Sequence, residues 1–323
     1  MLEYLIEIVK HRWSLEACVR AVRFDEYGGP DVLEVREADD PVMAPDRVLV
    51  RVRAAAVNPG ENFIRNGAAA AMWSTTFPSG QGSDLSGEVV AVGREVDGFE
   101  VGMPVLGWTD ERASHAELVA VPADHLVAKP ESLSWEVAGS MYIAPMAAFA
   151  SVRAVAPRPG EVVAVSAAAG GVGSVAVQLL RRAGATVIGL AGPDNHDWLK
   201  AQGAVPVEYG DGQTDRIRQA ADGRLDAFVD TFGGGYVELA LDLGVQPDRI
   251  NTIIDIAAVR AHGVGFNGSA EAANTTDLDA MVRLVADGAV EIPIARTYPL
   301  DGVREAYEEL NARHTHGKIV LLP

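Results

Sequence analysis

The sequence predicts an α/β fold in two parts, a β domain followed by a doubly wound parallel sheet. Three observations indicate this fold. Apolar and polar residues alternate over residues 20–130, strand and helix patterns alternate from about residue 134, and a glycine-rich turn joins a strand and a helix of that alternation. Repeated strand–helix units are typical of parallel sheets because each crossover helix covers one face. A chain of 323 residues is long enough for two domains.

Short strands are predicted for the first part of the chain. Residues 20–53, 86–107 and 114–130 carry runs of valine and leucine in the manner of strands, with glycine and proline at the turns. Together they predict a first domain over residues 20–142 that is rich in strands and poor in helices.

Residues 1–19 are predicted to be an N-terminal extension. Its apolar residues have helical spacing, so a short amphipathic helix is expected there, with these positions on one face: Leu2, Ile6, Val9 and Trp13. Ordinary domain sequence begins near Arg20, and we assign the extension no function.

Residues 143–268 are predicted to form the parallel sheet and its helices. Ser134 is the expected N-cap of an alanine-rich helix that runs to about residue 154. Strands are then expected to begin at four places: Val162, Thr186, Asp226 and Ile250. The last part, residues 269–323, adds two helices and a closing strand that begins at Lys318.

A glycine-rich turn follows the first of these strands. Ala169, Gly170, Gly171, Val172 and Gly173 form a backbone that a pyrophosphate could approach closely, with the first amides of the next helix directed at its oxygens. A purely structural turn is the alternative, because glycine serves many turns. The strand before the turn and the strand–helix alternation after it favour a dinucleotide-binding site.

Charge and composition exclude several classes of partner. The formal net charge of -18 disfavours nucleic acid and anionic membrane surfaces, and a small-molecule substrate is the expected partner. The sequence contains no apolar run long enough to cross a bilayer. Cys18 is the single cysteine, which excludes an internal disulfide and a thiolate-rich zinc site and fits a cytoplasmic protein.

Several ordered segments resemble the zinc-independent quinone oxidoreductase-like and enoyl reductase branch of the medium-chain dehydrogenase/reductase superfamily. The resemblance extends from Arg20 to Pro323. The segments that carry it are YGGPDVL at 27–33, VNP at 57–59, IRNG at 64–67, GSDLSG at 82–87, AAGGVGSVAVQL at 168–179 and HTHGKIVL at 314–321.

This resemblance implies a GroES-like β domain, a Rossmann cofactor domain and a C-terminal tail that returns to the first domain. It also implies NAD(P)H-dependent reduction of a quinone, or of the activated C=C bond of an enone-like small molecule, by hydride transfer without metal. A polyketide-like enone is a narrower form of the same substrate class. Relatives commonly form homodimers by joining Rossmann sheets edge to edge, which implies the strand near residues 250–254 here.

The resemblance gives no support for a metal site. Zinc-dependent relatives carry a Cys after the first landmark and Gly-His-Glu at the second, whereas this chain has Glu61 and the pair Ser83 and Asp84 there. A catalytic zinc needs three good protein ligands, so no metal is predicted. Asp84 is expected to hold the loop backbone.

The resemblance places Asn58 nearest the nicotinamide and the substrate, where its amide could donate and accept. Capping of the turn before Pro59 is the alternative.

Relatives often carry Tyr where this chain has Phe63. Tyr142 is the predicted substitute proton donor, with packing between domains as the alternative. Ala147 stands where a Thr often contacts nicotinamide. The differences from the family at Phe63 and Ala147 leave open a second function, that of a non-redox relative that binds a ligand or partner.

NADPH is the predicted cofactor, with NADH as the alternative. The second strand ends at Leu190 and Ala191 without the acid that would hold the ribose hydroxyls of NAD. Asp194 in the next loop would repel a 2′-phosphate, which argues the other way. The predicted cofactor-binding residues beyond the glycine turn are Asn195, Lys200, Tyr209, Phe232 and Lys318.

Overall fold

The computed structural model describes residues 19–71 and 73–323. The predicted N-terminal extension, with its helix and Cys18, lies outside the described residues except for Val19. The predicted α/β fold class, a β domain followed by a doubly wound parallel sheet, is confirmed.

The first half of the chain forms a β domain with one short helix. Its strands are β1 (Val19–Phe24), β2 (Glu34–Ala38), β3 (Arg47–Ala56), β4 (Ser79–Gly80), β5 (Asp84–Val92), β6 (Pro104–Trp108), β7 (Leu118–Pro122) and β8 (Leu126–Ala128). Strand β3 is central because it pairs antiparallel with both β5 and β7. Its alternate residues Val48, Val50 and Val52 are buried in the core. Helix α1 (Pro59–Arg65) follows β3 directly.

The single helix expected after Ser134 is two helices in the structure. Ser134 does cap the first, because its hydroxyl accepts the Val137 N–H at 3.2 Å, but α2 spans only Trp135–Ala138. A Cβ at Gly139 would lie 2.5 Å from the backbone oxygen of Ala54, so the chain here presses against β3. The second helix, α3 (Ile143–Val155), begins four residues later. The prediction missed this break because its cause lies in a distant strand.

Five parallel strands form the Rossmann sheet. They are β9 (Val162–Val165), β10 (Thr186–Leu190), β11 (Val205–Val207), β12 (Ala227–Asp230) and β13 (Ile250–Thr252), in the order β11-β10-β9-β12-β13. The connecting helices are α4 (Gly171–Arg182), α5 (His196–Ala201), α6 (Gln213–Ala220), α7 (Tyr236–Asp242) and α8 (Ile256–His262). The strand order reverses at β9, and ligands of such sheets bind outside the carboxyl ends of the strands at that point.

Strand β13 is the last strand of this sheet, as expected for residues 250–254, and one isolated bridge lies beyond it. The segment 264–266 lies beyond β13 and takes up its hydrogen bonds. Gly265 donates its N–H to the Ile250 oxygen at 2.9 Å and accepts the Thr252 N–H at 3.0 Å. The outermost backbone on this side is therefore residues 264–266.

The C-terminal tail passes back to the β domain. Its elements are α9 (Thr275–Ala286), β14 (Ile294–Pro299), α10 (Val303–Asn311) and β15 (Lys318–Leu322). Strand β15 pairs antiparallel with β3, with Val320 opposite Ala56. Within the described residues, no helix is long and apolar enough to cross a membrane.

Candidate active site

The glycine turn lies at the point where the strand order reverses. Gly170 precedes the first residue of α4 in an extended conformation, and Gly317 donates its N–H to the Ala169 oxygen at 2.9 Å. A Cβ at Gly173 would lie 2.2 Å from the Ala167 oxygen, so helix and turn approach as closely as only glycine permits. Val172 and its neighbours place the first amides of α4 at the carboxyl end of β9. This cradle fits a dinucleotide pyrophosphate.

Two buried polar atoms lie on the segment that leads to Gly317. Within the described part of the chain, Thr315 Oγ1 and His316 Nε2 have no hydrogen-bond partner. Both residues directly precede Gly317, which contacts the turn. Burial lowers the pKa of His316, which favours its neutral form. The His316 ring packs edge to face on Trp198 of α5, with ring centroids 4.9 Å apart.

The loop after β12 forms the other side of the crevice. The Asp230 carboxylate accepts the N–H groups of Phe232 at 3.0 Å and Gly233 at 2.9 Å, and the Ser166 hydroxyl at 2.7 Å. Phe232 is thereby held at the carboxyl end of the sheet, and the guanidinium of Arg313 lies 4.7 Å from its ring centroid. Asp230 and Arg313 are not among the predicted site residues, although an aspartate at the end of a buried strand is a visible signal.

Asn58 lies in a buried polar network of the β domain. Its side-chain nitrogen donates to Asp84 Oδ2 at 2.8 Å, and its Oδ1 accepts the ammonium of Lys318 at 2.5 Å. The residue is only 1% exposed. It also occupies the N-cap position of α1, where its backbone N–H donates to the Glu61 carboxylate at 2.9 Å. The Asn58 side chain makes no capping hydrogen bond to the helix. Asn58 therefore has the position of a cap, as the alternative interpretation expects, but its side chain serves the buried network.

The network continues from Asp84 to the start of α3, where the chain passes from the β domain into the Rossmann domain. The second carboxylate oxygen of Asp84 accepts the backbone N–H groups of Tyr142 and Ile143 at 2.9 and 2.8 Å. These are the first amides of α3, whose start is therefore fixed by a residue of β5. Burial raises the pKa of Asp84 and lowers the pKa of Lys318, and their mutual attraction opposes both shifts.

A second buried cluster adjoins Glu61. The Tyr307 hydroxyl donates to the Glu61 carboxylate, and Gln81 Nε2 donates to the same hydroxyl at 2.9 Å. The guanidinium of Arg65 lies 4.6 Å from the Tyr307 ring centroid. Burial raises the pKa of Tyr307 well above its ordinary value, and the Glu61 charge adds to this shift. Sequence analysis missed Gln81 and Tyr307 because no local pattern connects them with Glu61.

Tyr142 packs against Trp108. Their rings stack with centroids 4.3 Å apart and an interplanar angle of 7°, and His125 stacks on the same indole at 4.3 Å. Burial raises the pKa of Tyr142 far above that of a free phenol. Its predicted role as proton donor stays a prediction, and the geometry fits the packing alternative. Phe63 is partly exposed on α1.

The remaining predicted cofactor residues lie near the end of β10. The Tyr209 hydroxyl lies beside Gly192, where a Cβ would meet it at 3.6 Å. Asn195 is the N-cap of α5. Lys200 pairs with Asp197 at 3.1 Å on the surface. Lys318 differs from these three residues, because its ammonium is directed to the β domain. The cofactor contacts of all four residues stay predictions.

The positions where zinc-dependent relatives carry ligands hold an oxygen-rich but fully engaged set. Asp84 and Glu61 each accept several hydrogen bonds, and the Ser83 N–H donates to Glu61 at 3.1 Å. Among residues 19–71 and 73–323, no group of three His, Cys, Asp or Glu side chains is arranged to hold a metal ion.

Family models match both parts of the chain. A model of the alcohol dehydrogenase GroES-like domain matches residues 44–131, and a model described as zinc-binding dehydrogenase matches residues 199–321. These two domains in one chain define the class of medium-chain dehydrogenases/reductases.

Individual relatives narrow this class. A quinone oxidoreductase of Pseudomonas aeruginosa is 30% identical and covers 94% of this chain and 99% of its own length. The structure of the quinone oxidoreductase from Coxiella burnetii has a TM-score of 0.86 at 30% identity, covering 94% of this chain and 99% of that one. The chain belongs to the zinc-independent quinone oxidoreductase-like branch of the superfamily and is an oxidoreductase.

One further structure shares the fold at lower identity. The quinone oxidoreductase of Escherichia coli, solved in complex with NADPH, has a TM-score of 0.84 at 22% identity, covering 94% of this chain and 100% of that one.

Proposed function

We propose that this chain is an NADPH-dependent reductase of a quinone, or of the activated C=C bond of an enone-like small molecule, and that it works without metal. The observation that carries the proposal is the direct connection of two features by the tail of the chain. A glycine cradle lies at the reversal point of the Rossmann sheet, and the tail that contacts it at Gly317 continues into a buried network of Lys318, Asn58 and Asp84.

The residues of the chain have separable tasks in this proposal. Gly170 and the first amides of α4 bind the pyrophosphate, aided by the helix dipole, and Phe232 packs against the cofactor. The bound nicotinamide supplies the hydride. Negative charge then develops on the substrate oxygen, and polar groups that are already oriented stabilise it without reorganisation. The Asn58 amide, held by Lys318, is the proposed oriented group, and the final proton comes from Tyr142 or from water.

NADPH is the proposed cofactor, with NADH as the alternative. Strand β10 ends at Leu190 without an acidic side chain for the ribose hydroxyls. Asn195 and Tyr209 lie in the segments that follow β10 and β11 and are the proposed partners of the 2′-phosphate. The Escherichia coli relative, which shares the fold, was solved with NADPH. Because Lys200 already pairs with Asp197, its contribution is the smaller one.

Fluorescence titration of the purified chain with NADPH and NADH tests this proposal. Gly170→Asp is the informative variant, because the contact made by a Cβ there is 3.2 Å, to the Ala167 oxygen, and Asp is a favourable N-cap. Its charge would repel the pyrophosphate, so we expect cofactor binding to be lost while the fold persists. Gly170→Asn is the matched uncharged control and should retain more affinity than Gly170→Asp.

The opposite outcomes are equally definite. Tighter binding of NADH would overturn the cofactor assignment. Equal affinity of the Asp and Asn variants would show that the turn does not face a phosphate. A wild-type chain that binds neither nucleotide would favour a non-redox relative, which the alanine at position 147 already leaves open.

A further inference from the structure

Lys318 lies where the tail passes from the cofactor turn to the β domain. Gly317 before it donates its N–H to the Ala169 oxygen at 2.9 Å. Val320 after it pairs with Ala56 of β3. Lys318 therefore stands between a backbone contact to the glycine turn and a strand pairing in the other domain.

The aliphatic stem of Lys318 runs along the start of α4. A Cβ at Gly171 would lie 2.9 Å from Lys318 Cδ. The stem thus occupies the space that a side chain at Gly171 would take. Glycine at this position accommodates Lys318 on one side in addition to any phosphate at the helix start.

The ammonium of Lys318 ends on the β domain. It donates to Asn58 Oδ1 at 2.5 Å and to the Val57 oxygen at 3.1 Å, which uses two of its three N–H bonds. Asn58 Nδ2 donates in turn to Asp84. An amide between an ammonium and a carboxylate has one favourable orientation, because reversal would turn its NH2 toward the cation and its oxygen toward the anion.

Asn58 is thereby held between the two segments through which the chain passes from one domain to the other. One of these segments contains Lys318, which directly follows the Gly317 that contacts the glycine turn. On the other, Asp84 accepts the amides of Tyr142 and Ile143 at the start of α3, which leads into the Rossmann domain. Nearly complete burial of Asn58, Asp84 and Lys318 protects these charge-assisted hydrogen bonds from solvent.

We propose that Lys318 is a positioning residue for the reduction, which fixes the amide orientation of Asn58 and its distance from the cofactor turn. This inference rests on the proposed function, in which Asn58 lies beside the nicotinamide and the substrate. Without the ammonium the Asn58 amide keeps its bond to Asp84 but loses the partner of its oxygen, so its orientation is less fixed. Substrate and cofactor still bind, but the reacting groups are aligned less often, and small misplacements reduce rates strongly.

The test compares Lys318→Met, which keeps the aliphatic stem, with Lys129→Met, which removes one positive charge elsewhere in the same domain. The measurements are kcat and KM with 1,4-naphthoquinone and 2-cyclohexen-1-one, and the Kd of NADPH. For Lys318→Met we expect kcat to fall by about 10- to 100-fold with NADPH affinity unchanged. The isotope effect with NADPH deuterated at the transferred hydrogen should rise, because hydride transfer becomes rate-limiting.

A double variant separates positioning from a general structural role. If Lys318 acts through Asn58, then Lys318→Met combined with Asn58→Ala has the same kcat as Asn58→Ala alone. Additive losses overturn the inference, as does a Lys318→Met enzyme with the kcat of the Lys129→Met control. If Lys318→Met does not fold, Lys318→Gln replaces it.

The wild-type measurements distinguish this inference from the proposed function. A wild type that neither binds NADPH nor reduces either probe overturns the proposed function, and the inference falls with it. A wild type that does both, while the two losses add, overturns the inference alone.

Discussion

Asp84 is a single carboxylate that accepts three hydrogen bonds from two parts of the site. One oxygen accepts the first two amides of α3, and the other accepts the amide of Asn58. The expectation from sequence was that Asp84 holds the backbone of its own loop. Its backbone partners lie instead at residues 142 and 143, so its structural role reaches across to the other domain.

Tyr142 provides a prediction at the same scale. Its ring is held by stacking on Trp108, and burial raises the pKa of its hydroxyl, which makes it a weaker acid. We therefore expect Tyr142→Phe to keep the stack and to retain kcat within a few-fold of the wild type, with solvent as the proton source. The measurement is kcat with the better of the two probe substrates, at unchanged NADPH affinity.

The contrary result would restore the donor role. Loss of a catalytic proton donor typically costs on the order of 100-fold or more in rate. Trp108→Leu is the control for the stack, since it removes the packing surface and leaves the phenol. A large loss in Tyr142→Phe with a small loss in Trp108→Leu would assign the proton to Tyr142.

At the scale of elements, local patterns predicted most of the Rossmann domain. The strands near Val162, Thr186 and Ile250 and the final strand at Lys318 begin where the sequence indicated. The break between α2 and α3 could not be predicted, because Asp84 and the crowding of Gly139 against β3 cause it. The same limit applies to the site. The glycine turn is a local motif, whereas the bond between Glu61 and Tyr307 joins residues 246 positions apart.

An ion pair joins two elements of the Rossmann sheet and predicts a dependence of stability on pH. Arg249, just before β13, donates to both oxygens of Glu161, just before β9, at 3.1 and 2.6 Å. The hydrogen bond from Arg249 lowers the pKa of Glu161. This stabilisation is present above the pKa of an unfolded glutamate and is lost as pH falls through the lower folded value.

We expect Glu161→Gln to lower the free energy of unfolding by about 1–3 kcal/mol at pH 7. The difference from wild type should shrink below about pH 4.5, the ordinary glutamate value, because Glu161 is protonated there in the unfolded chain and only at lower pH in the folded one. Urea unfolding at pH 7, 4 and 3 measures it. Glu88→Gln breaks a more exposed pair with Arg53 and should cost less than about 1 kcal/mol. A constant difference at all three pH values would contradict the assignment.

At the scale of the whole molecule, the chain is expected to work without zinc. Glu61 and Asp84 are already engaged by amides and by the Tyr307 hydroxyl, and a metal would have to displace these donors. We expect elemental analysis of the purified chain to find no stoichiometric zinc and activity to persist in chelator. About one tightly bound zinc per chain, lost together with activity, would refute this.

The chain is also expected to form a homodimer. We expect its two copies to pair through the outermost backbone of the Rossmann sheet. Residues 264–266 lie beyond β13, and among residues 19–71 and 73–323 no backbone group pairs with their outward-facing N–H and C=O groups, so we expect these to pair with a second copy. Phe266 lies in this segment and is 38% exposed. In a two-fold interface each residue contributes from both copies, so one substitution acts twice.

We therefore expect light scattering to give a dimer for the wild type and a monomer for Phe266→Asp, because two carboxylates would face each other across the axis. Val101→Asp is the matched control, since Val101 is a 70% exposed apolar residue of the β domain, and it should remain dimeric. Circular dichroism checks that both variants are folded. A monomeric wild type would refute the dimer, and a Phe266→Asp variant that stays dimeric would move the interface away from residues 264–266.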